Sequence, residues 1–228
     1  MTDNPYAVPE SKLASTDLQM GDFTIGESFS AAWKACWSNF PQWLGFGLLS
    51  MLVSILSMFT VIGYFIVVPV LLWGNVVYLL NILDGKSEIN NLFVGFKQYG
   101  KVLGRMLLFI IIFILLSFVT QAISFVGGLM QEQSLIIIGS IVNIIASIFL
   151  MRFYFAAFFM VEKDMPAFEA LSTSWQCTKG KTLKVLLLGL AGIPIMLGGV
   201  LALGVGIFPA MLILYLMWAS AYRQMIQQ

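Results

Sequence analysis

The chain has 228 residues, of which 60% are hydrophobic and 10% charged, with a mean hydropathy of +0.93 and a net charge of +1. A soluble domain carries about 25% charged residues, so this composition predicts an integral membrane protein, and the neutral balance argues against a nucleic-acid partner. There is no histidine, which removes the commonest general base, proton shuttle and metal ligand.

The first 22 residues, MTDNPYAVPESKLASTDLQMGD, are polar and contain two prolines. They lack the basic start and apolar core of a signal peptide and read as a mostly disordered cytoplasmic tail, 1–22. Residues 23–228 read as one transmembrane domain. A membrane-crossing helix needs about 20 apolar residues. Six stretches qualify by hydropathy: 41–60, 62–83, 103–126, 134–161, 183–201 and 203–222. Short turns near Thr60–Gly63, at GGLMQEQS and around Gly198–Gly206 join them in pairs. The expected fold class is therefore an all-α membrane protein with six transmembrane helices arranged as three hairpins.

Each hairpin follows a more polar segment with helical periodicity: FTIGESFSAAWKACWSNF (23–40), SEINNLFVGFKQYGKVLG (87–104) and MPAFEALSTSWQCTKGKT (165–182). One face carries Ile25, Phe29, Trp33, Cys36 and Phe40 in the first. The second aligns Ile89, Leu92, Phe93, Phe96 and Leu103, and the third Phe168, Leu171 and Trp175. Trp33, Phe96 and Trp175 fall at equivalent places. This is the pattern of amphipathic helices lying in the cytoplasmic interface, apolar face down. Thr24 with Glu27 reads as a capping box, and Ser87 and Asp164 as caps of the other two. The whole reads as three copies of one unit, about 23–84, 87–163 and 165–228, with Pro69 and Pro209 as minor support.

Orientation follows from lysine and arginine. Lys12, Lys34, Lys86, Lys97, Lys101, Arg105, Lys163, Lys179, Lys181, Lys184 and Arg223 all fall on one side, while the three opposite turns carry only Glu132. Both termini are thus expected in the cytoplasm. Trp43, Trp218 and Tyr222 would form an aromatic belt on that side, and Cys36 and Cys177 would be reduced thiols.

The stretch WQCTKGKT, 175–182, ends like a phosphate-binding loop. That motif needs a glycine where Trp175 stands, and a strand before it; neither is present, so no nucleotide is expected. Trp175 instead reads as the buried anchor of the third interfacial helix. Thr178–Thr182 is then the elbow into the bilayer, with Gly180 for backbone freedom. Lys179, Lys181 and Lys184 would meet anionic lipid headgroups, each attracted by about 1 kcal/mol.

The stretch from Met165 onward carries AFEALSTSW, then TKGK, a glycine-rich hairpin and a final AYRQM, preceded by the turn Glu162, Lys163, Asp164. In these residues the chain resembles the bacterial YciC-like integral membrane proteins and the membrane domain found with some glycerophosphodiester phosphodiesterases. The match covers about the last 65 residues well and the rest in outline. The resemblance implies a bacterial inner membrane, six spans and no established activity. The phosphodiesterase domain itself is absent from these residues, so its chemistry is not carried over.

Arg152 is the most informative polar residue, because it falls inside the fourth span, about ten residues or roughly 15 Å from the cytoplasmic end. A cation near the bilayer centre costs about 2.5–3.5 kcal/mol, and no Asp or Glu lies within a span to pair with it. Two readings stay open. Arg152 contacts an anionic headgroup or substrate, or it is satisfied by carbonyls, by Asn75, Asn143 or Gln121, or by reaching the interface. Asn75, Asn143, Gln121 and Ser147 also read as inter-helix hydrogen-bonding glue. Pro69, Pro194 and Pro209 with Gly192, Gly198, Gly199, Gly204 and Gly206 read either as broken helices around a midplane site or as ordinary membrane-helix residues.

No intramembrane carboxylate, no histidine and no serine with a visible base are present, so neither an enzyme nor a proton-coupled transporter is expected, and no cofactor or metal. The leading expectation is a non-enzymatic inner-membrane accessory or scaffold that organises membrane lipids or a partner membrane protein. The alternative is a small transporter or lipid-handling protein using Arg152 as anion contact. A toxin-immunity or envelope-stress role is a third reading on which the residues are silent.

Overall fold

The computed structural model describes residues 21–86, 88–202 and 206–226. Helix α1 (Ile25–Ser38) leads into the hairpin of α2 (Phe40–Met58) and α3 (Val61–Leu83). A 3-10 helix, Ile89–Gln98, leads into α4 (Tyr99–Met130), which pairs with α5 (Gln133–Leu150). A second 3-10 helix, Met151–Phe155, carries α5 on into α6 (Ala156–Glu162). Then α7 (Ala167–Cys177) leads into α8 (Thr182–Leu190), α9 (Gly192–Leu201) and α10 (Ile207–Ile226). No strand occurs among the described residues.

Five stretches are long and apolar enough to cross a membrane: Phe40–Met58, Gly63–Leu83, Ile89–Val119, Gln133–Glu162 and Thr182–Leu201. The chain is a multi-pass helical membrane protein. The expected sixth span corresponds to α10, whose residues Leu216 to Tyr222 are buried without a break. Near its end that helix carries Tyr222, Arg223 and Gln224, which lower its hydropathy, and the expected start of this span, 203–205, lies outside the described residues. So do residues 1–20 of the expected tail. Its last two residues are held: Gly21 N–H donates to Met225 O at 2.9 Å, and Asp22 pairs with Lys184.

Small residues let the paired helices approach closely, as packing within lipid requires. A Cβ added at Gly139 on α5 would stand 2.4 Å from Ser124 N on α4, and one at Gly199 would stand 2.7 Å from Gly206 O. The α4–α5 turn closes through Gln131, in left-handed backbone at φ 54°, whose N–H reaches back to the carbonyls of Gly127 and Gly128.

The lead-in elements pack chiefly on the second helix of a different hairpin. α1 lies on α10, the 3-10 helix 89–98 on α3, and α7 on α6 and the second 3-10 helix. Buried side chains gather at the end where these elements meet, including Phe23, Cys36, Tyr78, Ile82, Phe159 and Met217. The hairpin tips are apolar but bare: Phe59 and Leu201 are each 83% exposed.

Several expectations require correction. Trp43, Trp218 and Tyr222 form no outer belt; all three are buried in the packed end, Trp43 donating from Nε1 to Cys36 O at 2.8 Å. The capping box is not formed. Thr24 makes no side-chain cap, and its backbone N–H donates to Gln224 Oε1 across the α1–α10 contact instead. Asp164 does not cap α7, whose N-cap is Pro166; it sits at φ 56° and faces Lys101 and Arg105. Ser87 lies outside the described residues.

The segment 87–104 is a 3-10 helix up to Gln98 rather than an α-helix throughout. The tighter winding eclipses residues three apart. It turns Leu92 and Gly95 onto α3, where a Cβ on Gly74 would stand 2.4 Å from Leu92 O, and stacks Phe93, Phe96 and Tyr99 along the outside. The fourth span is not one continuous α-helix, because the 3-10 helix around Arg152 interrupts it. The fifth breaks at Ala191, between Gly189 and Pro194, where Pro194 has no N–H to continue the ladder.

Candidate functional site

Arg152 is 5% exposed and lies at the joint between the second 3-10 helix and α7. Its Nε donates to Thr178 Oγ1 at 2.9 Å and its Nη2 to Trp175 O at 2.6 Å. The guanidinium carbon stands 3.6 Å from the centre of the Trp175 ring. Ser174 Oγ donates back to Arg152 O at 2.5 Å, and Thr178 Oγ1 donates to Ser174 O at 2.8 Å. The counter-charge for this cation is therefore not a carboxylate. It is the C-terminus of α7, whose unpaired carbonyls carry partial negative charge, together with the indole face. The carbonyl alternative weighed from sequence is the one realised. Asn75, Asn143 and Gln121 are not brought to Arg152: Asn75 Oδ1 meets Ser50 Oγ at 3.5 Å, Asn143 O accepts from Ser147 at 2.7 Å, and Gln121 lines a groove on α4.

The residues that sequence reasoning missed are Ser174 and Thr178. Both lie in WQCT or just before it, four apart and thus on one helix face. Two hydroxyls on the last turn of a short helix were the available signal. Gly180, at φ 78°, takes the left-handed backbone that the elbow demands.

Trp175 is less enclosed than an anchor buried in the protein, at 38% exposed, because one ring face covers Arg152 and the ring packs against Phe149 and Phe153. Trp33 and Phe96 are likewise partly exposed, each within an aromatic row. From α1 into the start of α2 the row is Phe29, Trp33, Trp37, Phe40, with successive ring centres 5.8, 5.6 and 5.7 Å apart. From the 3-10 helix into the start of α4 it is Phe93, Phe96, Tyr99. The face of α1 that packs inward is instead made of Ser28, Ala32, Ala35 and Cys36. The expected apolar face of α1 is thus divided: its aromatics face out, and Cys36 faces in with the small residues.

The charged residues converge at the same end. Arg223, in the last turn of α10, donates to Asp84 Oδ2 at the end of α3, at 2.7 Å, and to Glu162 at the end of α6. One guanidinium thus ties the ends of three second helices. Lys101 and Arg105 both reach Asp164, at 2.5 and 2.6 Å. Of the three expected headgroup lysines, Lys184 pairs with Asp22, Lys181 donates to Gly21 O, and Lys179 is exposed. The hydrogen bond from Lys101, reinforced by Arg105, holds the Asp164 carboxyl below the usual carboxylate range, and Lys184 does the same for Asp22. Burial pushes the thiols of Cys36 and Cys177 up, to about 11 and about 12, so both are poor thiolates near neutrality.

A groove of about 970 Å³ runs beside α4, walled by Phe109, Phe113, Phe118 and Phe125, with Tyr154 and Ala157 across from it. Among the described residues no group of three His, Cys, Asp or Glu side chains is placed to hold a metal ion. The chain matches no family model, no curated protein and no solved structure.

Proposed function

We propose that this chain is a non-enzymatic accessory of the bacterial inner membrane that organises lipid or a partner membrane protein. In this reading six helices cross the bilayer as three hairpins, both termini are cytoplasmic, and α1, the 3-10 helix 89–98 and α7 lie at the cytoplasmic interface. The threefold repeat is supported by the cyclic packing of the lead-in elements. Each rests on the second helix of the unit before it, with α1 resting on the last. The aromatic rows facing outward suit an interface, where rings sit at headgroup level. The resemblance of the last third to YciC-like proteins points to the same membrane and the same number of spans.

One observation carries the functional part. Arg152, within the apolar stretch Gln133–Glu162, is engaged by Trp175 and Thr178 of α7, while the apolar groove beside α4 stays open. Those contacts weigh against a substrate anion at Arg152 and leave an apolar surface as the working surface. The test is extraction of the protein together with its surrounding membrane, followed by native mass spectrometry. A stoichiometric companion protein or one retained lipid species is expected. A bare chain surrounded by lipid of bulk composition overturns the reading. The topology is tested separately by thiol labelling of intact cells. Gln131→Cys is expected to react from outside and Lys179→Cys only after permeabilisation.

A further inference from the structure

We propose that the groove beside α4 holds an acyl chain of an anionic glycerophospholipid whose phosphate sits at Lys101 and Arg105. The inference rests on the reading that this chain organises lipid or a partner, and it selects the first. The groove wall from Phe109 to Val126 is about 17 residues, or roughly 25 Å, of helix, most of the ~30 Å hydrocarbon core. Its lining is phenyl rings and aliphatic side chains, interrupted only by Gln121, Tyr154 and two serines. At about 970 Å³ the groove falls within the usual range of small-molecule sites, about 300–1,000 Å³.

The charge at the mouth favours an anionic headgroup. Arg105 precedes Phe109 by four residues, so it lies on the same face of α4, one turn toward the charged end. Lys101 lies one turn further. These two cations share the single carboxylate of Asp164, which leaves one positive charge unmatched there. Lys101 and Asp164 are 42% and 59% exposed, so a phosphate oxygen can join or replace the carboxylate without unpacking the core. The chemistry required is a phosphodiester anion next to a long apolar chain.

The experiment titrates the full-length protein in detergent with phosphatidylglycerol or phosphatidylcholine of identical chains, read by native mass spectrometry. One phosphatidylglycerol is expected to bind at least tenfold more tightly than phosphatidylcholine. Ala122→Trp, which fills the groove from an exposed position, is expected to weaken it at least tenfold, with Ile114→Trp as a second filler should the first not fold. Lys101→Gln is expected to erase most of the headgroup preference while chain binding persists, and Asp164→Asn to strengthen phosphatidylglycerol binding. Ile137→Trp, outside the groove on α5, is the control and is expected to bind as the parent does. Unchanged binding in both filled variants overturns the proposal, as does equal binding of the two lipids by the parent. A dimer that the fillers dissociate overturns it in favour of a second copy. In each of those cases a stoichiometric companion in the membrane extract would still uphold the broader reading.

Discussion

The two ends of this molecule are held by different physics. At the charged end α1, α3, α6, α7 and α10 enclose large side chains, and Arg223, Asp84 and Glu162 join three helix ends. At the hairpin tips the helices approach closely at glycines, and Phe59 and Leu201 stand bare. Water makes burial favourable only where water is the alternative. In lipid an exposed phenylalanine loses nothing, and association depends on close backbone contact. The same chain therefore builds a packed core at its charged end and a loose, glycine-matched set of hairpins along its apolar length.

The largest effect is expected at Arg152. Arg152→Ala removes the donor to Trp175 O and Thr178 and leaves buried acceptors unpaired, which costs about 1–3 kcal/mol. The lost cation–π contact adds about 1–2 kcal/mol. Thermal unfolding in detergent is expected to show the loss. Arg152→Lys should recover only part of it, because an ammonium cannot span both acceptors as a planar fork does. Melting of Arg152→Ala at the parent temperature would show that the tie between α7 and the second 3-10 helix is not what holds that end.

A matched pair of glycines sharpens the contrast. A Cβ at Gly74 would stand 2.4 Å from Leu92 O at the packed end, and a Cβ at Gly139 an equal 2.4 Å from Ser124 N near a tip. Gly74→Ala is expected to cost about 1–3 kcal/mol, the usual range for overpacking, since α3 and the 3-10 helix are boxed in by their neighbours. Gly139→Ala is expected to cost less, because α4 and α5 can part into lipid without disturbing another element. Equal losses would mean that the tips are as tightly determined as the packed end.

Trp33→Ala comes next. Its ring is about half exposed, so stability is expected to move by less than about 0.5 kcal/mol, while depth-dependent quenching by brominated lipid should report that α1 sits less firmly in the interface. Trp175→Ala should destabilise the fold more, through Arg152.

How far this was legible in the sequence follows the same division. Five of the six expected spans came through as long apolar helices, because hydropathy alone sets what can cross hydrocarbon. What hydropathy does not reveal is which residues of a lead-in element pack on the protein. The rows Phe29–Trp33 and Phe93–Phe96 stand out by their size and read as faces laid on the bilayer interface. The protein packs Ser28, Ala32 and Ala35 against α10, and Leu92 and Gly95 against α3. Small faces carry no hydrophobic signal, so periodicity analysis passes over them. Trp43, Trp218 and Tyr222 failed for the opposite reason: an aromatic near a span end fits an interface and a core equally well, and only the lead-in helix covering it decides. Arg152 was found, but its partners lie in another element, 22 to 26 residues on, and no local pattern links them.

An effect confined to acid again separates the ends. The carboxyls of Asp164 and Asp22 are both held low by their lysines. A group whose folded value is depressed contributes stability above its unfolded value, near 3.9, and loses it as pH falls through the folded value. From pH 8 to about pH 5 no change is therefore expected from these pairs, and below about pH 4 they let go. The pairs are exposed, so the loss in stability is at most about 1 kcal/mol. Hydrogen exchange should resolve it locally. The amide of Phe23, which donates to Asp22 Oδ1, and those around Asp164 should lose protection in acid. The α4–α5 tip, which carries only Glu132, should exchange as before. Acid-induced exposure at that tip instead would mean that the charged end transmits its strain along α4, and that the two ends are less independent than their packing implies.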